Sequence, residues 1–199
     1  MLSSKRAAAL SDAPNESLTM AHDPSALFSE LSRAQSQFLQ AADAVPSEYW
    51  KTSPGDGRWS AAELVAHLFM VERAVIEKAD RVSQHPPKQI PLFKKFHIPM
   101  ALVESRWVRR KSPMPINQET LTDKEAMLAR LREVRERSLA FLEEARNRDL
   151  REYYWKHPAL GMLNTYGWIR FIAAHEIRHT KQMREIAASL PKSVESLQK

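Results

Sequence analysis

Apolar residues recur at three- and four-residue spacing through Leu27, Leu31, Ala34, Phe38, Ala42 and Val45, the repeat of an amphipathic helix. Pro24 and Ser25 open this first helix and Pro46 ends it. Pro54, Gly55 and Gly57 mark the segment Trp50 to Trp59 as a turn-rich connection. Ser60 followed by Glu63 predicts a capping box. The second helix then runs to about Val82, with Leu64, His67, Val71, Ala74 and Val75 on one face. A third helix is predicted after Thr122 and Asp123, with Met127, Leu131, Val134, Leu142 and Ala145 inward and its Arg and Glu residues outward. The loop His157 to Gly161 leads to a fourth, from about Thr165 to Leu190.

Six prolines (Pro86, Pro87, Pro91, Pro99, Pro113 and Pro115) lie between Gln84 and Gln118 and preclude one continuous helix there. The stretch reads as a long crossover containing a short helix from about Pro99 to Arg110, with proline in its first turn. No segment reads as a strand, and no internal repeat is visible. The expected fold is therefore all-α: a four-helix bundle with a long crossover, containing a short extra helix, between helices two and three. Residues 1–24 read as a flexible N-terminal tail, 25–190 as the bundle domain and 191–199 as a C-terminal tail. Met20 is an alternative start.

The chain has 199 residues, 43% of them hydrophobic, enough for one sizeable core. It has no cysteine, which excludes disulfides and thiolate ligands and suits a reducing cytoplasm. No apolar run approaches the ~20 residues that span a bilayer. The apolar stretch Ala7 to Leu10 after Lys5 and Arg6 is too short for a signal-peptide core. The expectation is a cytoplasmic protein with no membrane partner. A net charge of +6 raises the question of nucleic acid. Its basic residues are dispersed, apart from a local group at Arg106, Arg109, Arg110 and Lys111. Arg130, Arg132, Arg135 and Arg137 are interleaved with Glu133 and Glu136, the pattern of a solvated helix face. No aromatic-plus-basic recognition motif accompanies them, so no nucleic-acid partner is expected.

The chemistry concentrates in the fourth helix. Trp168, Phe171, Ile172, His175, His179, Gln182 and Ile186 fall within one stripe at about 100° per residue. Two histidines thus interrupt an inward apolar face, where an unpartnered imidazole costs free energy. Histidines four apart sit one turn above each other and can reach one cation. Such a pair alone is equally compatible with hydrogen-bonded core histidines or a surface pair. His67, inward on helix two, makes three, which favours a metal. His175, Glu176 and His179 also fit the zincin motif, in which the glutamate is the general base. In the variant with its third ligand six residues on, Glu185 takes that place and a glycine must break the helix at position 182. Gln182 stands there instead. In an unbroken helix Glu185 lies about 80° from His175 and some 15 Å along the axis, so it cannot close the site.

Arg58, Trp59, Ser60, Glu63 and His67, followed far downstream by His157, Pro158, Gly161, Trp168, His175, His179 and Gln182, resemble the two signatures of the DinB-like superfamily. The resemblance covers about residues 26 to 190; the proline-rich crossover departs from it. It implies a four-helix bundle with a three-histidine metal site, carried here by His67, His175 and His179. It further implies thiol-dependent transferase or isomerase chemistry with zinc, nickel or a related ion. Imidazole ligands also accept iron, so the expectation is one divalent transition metal, zinc or nickel first and iron next, in an enzyme of the thiol-transferase or hydrolase type. The expected partner is a small-molecule substrate, with a low-molecular-weight thiol as one candidate. Three nitrogen ligands leave a coordination position open, where a cation can lower the pKa of a water or thiol. Glu176 is a candidate catalytic base, although an exposed pairing with a nearby Arg or Lys is the commoner role. Gln182 is a candidate for orienting a ligand histidine, or for an interhelical hydrogen bond. Glu63 is explained by capping, His157 by a local hydrogen bond, and Trp59, Trp107 and Trp168 by core or pocket lining. His22, His85 and His97 carry no assignment. The rival reading is a non-catalytic bundle whose histidines stabilise a binding surface or a homodimer.

Overall fold

The computed structural model describes residues 24–87, 90–91, 103 and 116–191. Four α-helices dominate them: α1 (Pro24–Asp43), α2 (Ala61–Ser83), α3 (Lys124–Glu144) and α4 (Thr165–Ser189). Local chemistry sets their starts. The Ser60 hydroxyl accepts the Glu63 N–H while the Glu63 carboxylate accepts the Ser60 N–H, the capping box expected for α2. Asp123 caps α3 through the Ala126 N–H, and Asn164 caps α4 through the Gly167 N–H.

One expectation fails just before α4, where no strand was anticipated. Tyr154–His157 (β1) and Gly161–Asn164 (β2) pair antiparallel, with Tyr154 opposite Asn164 and His157 opposite Gly161. Four residues per strand are too few for alternation to stand out from a loop. The hairpin is fixed by its turn: His157 Nδ1 accepts the N–H groups of Ala159 and Leu160, both at 3.0 Å. Gly161 takes the left-handed conformation at φ +92°, which glycine alone adopts without strain.

The helices bury two apolar clusters. The first joins Leu27 to Ala34 of α1, Val75 to Ala79 of α2, Phe141 and Leu142 of α3, and Trp168 to Ala173 of α4. The second joins Phe38 to Ala42 of α1, Ala61 to Leu68 of α2, Met127 to Val134 of α3, and Met183 and Ile186 of α4. The order in which each helix visits the clusters gives its direction. α1 and α4 run one way, and α2 and α3 run the other. Because α2 and α3 are parallel, the chain leaving α2 must travel the length of the bundle to begin α3. That is the physical reason for the long connection. The short helix expected from about Pro99 to Arg110 lies outside the described residues, apart from Val103, which is helical and packs on the first cluster. Residues 1–23 and 192–199 of the two tails and Trp107 also lie outside, while Pro24 already belongs to α1. Among the described residues no helix is long and apolar enough to cross a membrane.

Between the clusters runs a buried polar layer: Glu72, Arg135, Ser138, Glu176, His179 and Thr180. It corrects two further expectations. Arg135, read as part of a solvated face, is 1% exposed. On α2 it is Ala74 that faces outward, while Glu72 is buried. Pairing offsets part of the cost of burying these charges, which otherwise drives them to the surface.

Candidate metal centre

His67 projects from the first half of α2, whose capped start fixes its rotation; His175 and His179 stand one turn apart on α4. The structure brings the three together. His175 Nε2 lies 3.2 Å from His67 Nε2 and 3.0 Å from His179 Nε2. The candidate ligand nitrogens of all three fall within 4.8 Å of one another. His67 and His179 are buried, and His175 is partly exposed, so the cluster sits at the margin of the core. Trp59 packs on His67 and His179 at ring-centroid distances of 4.8 and 6.3 Å. Phe171 stacks on His175 at 5.1 Å and meets His157 at 4.5 Å. Trp168 and Trp155 stack behind them.

Proton inventory decides what this cluster can hold. His179 Nδ1 lies 3.0 Å from Gln182 Oε1; an amide oxygen only accepts, so Nδ1 carries the proton and, in the neutral ring, Nε2 a lone pair. His175 Nε2 then faces a lone pair on His179 and a second Nε2 from His67. A single proton on His175 would have to serve both neighbours at once, and full protonation is opposed. Burial pushes His67 down to about 4. Burial, reinforced by the neighbouring His179 and His67, holds His175 well below the usual imidazole range. Burial thus favours the neutral ring at His67 and His175, and the three imidazoles converge through Nε2. Two nitrogens each ~2.0–2.1 Å from a shared ion stand about 3–3.4 Å apart, which the separations of His175 from His67 and from His179 match. The residues fit a divalent cation of the kind imidazole binds.

The remaining sequence candidates separate cleanly. Gln182 is on the histidine side and touches His179. Glu176 is not the exposed partner expected of it: it is 1% exposed, and its Oε2 accepts from Arg135 Nη2 at 2.9 Å. Burial raises its carboxyl well above the usual range, against the attraction of Arg135, whose guanidinium is mainly engaged by Glu72 and stays firmly charged. A carboxylate enclosed in the core and held by arginine is poorly placed to exchange protons at the histidines. α4 continues unbroken through Gln182, and Glu185 is exposed two residues before Ala187, so the zincin arrangement is absent. His157 makes the local hydrogen bonds expected of it, Glu63 caps α2, Trp168 is core, and His85 is exposed at the far end of α2. His22 and His97 lie outside the described residues. Sequence reasoning missed Glu72 and Arg135. The available signal was their spacing: Leu131, Arg135, Ser138 and Leu142 keep one helical stripe.

Comparison with known proteins agrees with this architecture. Residues 30–183 match the model of the DinB superfamily. The chain is 26% identical over 151 residues to the uncharacterized protein YuaE of Bacillus subtilis, an alignment covering 75% of this chain and 90% of that protein. In three dimensions it is similar to TT2238, described as a four-helix bundle protein, with a TM-score of 0.54 and 19% identity over 81% of this chain and 98% of the other.

Proposed function

The chain belongs to the DinB superfamily, and on that premise we propose that it is a metal-dependent enzyme acting on a small molecule, with His67, His175 and His179 holding one divalent transition-metal ion. Zinc and nickel are the first candidates, and iron the next. The observation that carries this reading is the convergence of three Nε2 atoms, two pairs of them 3.0 and 3.2 Å apart, which a hydrogen-bond network alone satisfies poorly. A cation bound there would supply Lewis acidity, lowering the pKa of a thiol or water at an open position. The protein's own contribution is orientation and shielding. Gln182 holds the His179 ring with Nε2 toward its neighbours, and Trp59 and Phe171 pack the imidazoles from two sides. Thiol transfer is preferred because of the family resemblance, and hydrolysis is the alternative chemistry. Glu176 is assigned to the interior ion pair and not to proton transfer.

Elemental analysis of protein purified without chelator tests the first half of the proposal. About one transition-metal ion per chain is expected, lost on replacing His67, His175 or His179 by Ala and retained in His85→Ala. A panel of low-molecular-weight thiols against electrophiles and hydrolysable esters then tests the second, comparing metal-loaded wild type with His175→Ala. A metal-free native protein would refute the metal site. A loaded protein inert in every pairing would favour the non-catalytic bundle.

A further inference from the structure

Arg135 reaches all the other helices of the bundle from α3. Its Nε and Nη2 donate to the two carboxylate oxygens of Glu72 on α2 at 2.7 and 3.0 Å, and Nη2 also donates to Glu176 Oε2 on α4 at 2.9 Å. Nη1 donates to the Leu31 carbonyl on α1. Ser138 Oγ donates to Glu72 Oε1 at 2.7 Å, which further fixes that carboxylate. All three charged side chains are buried. A planar guanidinium with its donors in a rigid fork allows little rotation or sliding of the groups it joins.

The helices joined through Arg135 are the same two that carry the histidines. Glu72 follows His67 by five residues, about 7.5 Å of rise along α2. Glu176 directly follows His175 on α4. The two helices run in opposite directions, so a slide or rotation of one against the other at the ion pair is transmitted to the next level, where His67 meets His175 and His179. Nitrogens 3.0 and 3.2 Å apart leave little room for such movement before they cease to share one ion. Stability alone is a weak account of the network, because well-packed apolar groups of similar volume often stabilise a core as well or better.

We propose that Arg135 is a positioning residue for the cation site: by bridging Glu72 and Glu176 it sets the distance of His67 from His175 and His179, and through it the affinity and geometry of the bound ion. This rests on the reading that the three histidines hold a cation. The test uses cobalt(II) as the probe on the full chain. Three proteins are compared: wild type, Arg135→Lys, and the triple variant Arg135→Met, Glu72→Leu, Glu176→Leu. Affinity comes from competition with a chelator, geometry from the visible absorption bands, and fold integrity from thermal melting. The triple variant is expected to melt near or above wild type yet bind cobalt about tenfold or more weakly, with an altered visible spectrum. Arg135→Lys, which keeps the charge and loses the fork, should fall between the two. A folded triple variant with wild-type affinity and spectrum overturns the proposal. Should the triple variant fail to fold, Arg135→Lys decides: an unchanged affinity and spectrum overturns it, and a weaker affinity with a shifted spectrum supports it. Wild type that binds no cobalt overturns the histidine reading and this proposal together, whereas binding that none of the folded variants alters overturns only the role of Arg135.

Discussion

His179 donates its Nδ1 proton to Gln182 Oε1 across 3.0 Å, one helical turn along α4. The bond selects the tautomer that leaves Nε2 unprotonated beside His175, and it orients the ring. Gln182→Leu should therefore weaken cation binding by about 10–100-fold without unfolding the helix. Gln182→Glu keeps an acceptor and should retain affinity. Chelator competition on the two variants checks both, and equal loss in both would show that packing, not the acceptor, is what matters.

Acidification should destabilise the metal-free protein through His67. Its folded pKa is depressed from 6.5 to about 4 by burial, so between those values the unfolded chain binds the proton more readily than the folded one. The penalty is absent above about pH 6.5, grows as pH falls, and levels off below about pH 4. For this group it amounts to roughly 3 kcal/mol. Glu176, whose folded pKa is raised, acts oppositely, gaining stability as pH falls. The informative quantity is thus the difference between wild type and His67→Gln in urea denaturation with chelator present. Wild type should lose stability more steeply from pH 6.5 to 4, and parallel profiles would contradict the assignment.

Arg135→Ala should cost about 3–5 kcal/mol, because it leaves the carboxylates of Glu72 and Glu176 buried without their cation. Equilibrium denaturation at pH 7.5 measures it. A loss below about 1 kcal/mol would mean that the core admits water or reorganises around the acids.

The hairpin gives a separate prediction. Gly161→Ala places a side chain at φ +92° and should cost about 1–2 kcal/mol. His157→Ala removes the acceptor for the Ala159 and Leu160 N–H groups and should cost a similar amount, about 1–3 kcal/mol. Thermal melts of the single variants and the pair test this, and the pair should fall short of additivity because both act on one turn.

Much of this was legible in the sequence. Ser60 and Glu63 announce the start of α2 because a capping box is local chemistry, complete within four residues. His67, His175, His179 and Gln182 stood out because polar residues at helical spacing interrupt apolar stripes. The hairpin did not, since two four-residue strands carry too little alternation. The ionic layer stayed hidden for a different reason. Arg135 and Glu72 hold inward positions by spacing, but charge argues for the surface unless a partner is known, and each partner lies on another helix. Glu176 was singled out beside His175, yet which way it faced depended on α3.

His67 and His175 are separated by 108 residues and meet only when the second and fourth helices are both in place. The histidine cluster therefore has no local precursor. A nascent chain that has completed the first three helices possesses one of the three imidazoles and the arginine that organises the layer, but no place to keep an ion. Capture must wait for α4 to dock, and an ion held across so long a loop would then act as a late clasp, resisting the separation of segments whose reunion is entropically slow. On the proposed reading of the three histidines, cation supply would thereby govern how long the finished protein lasts.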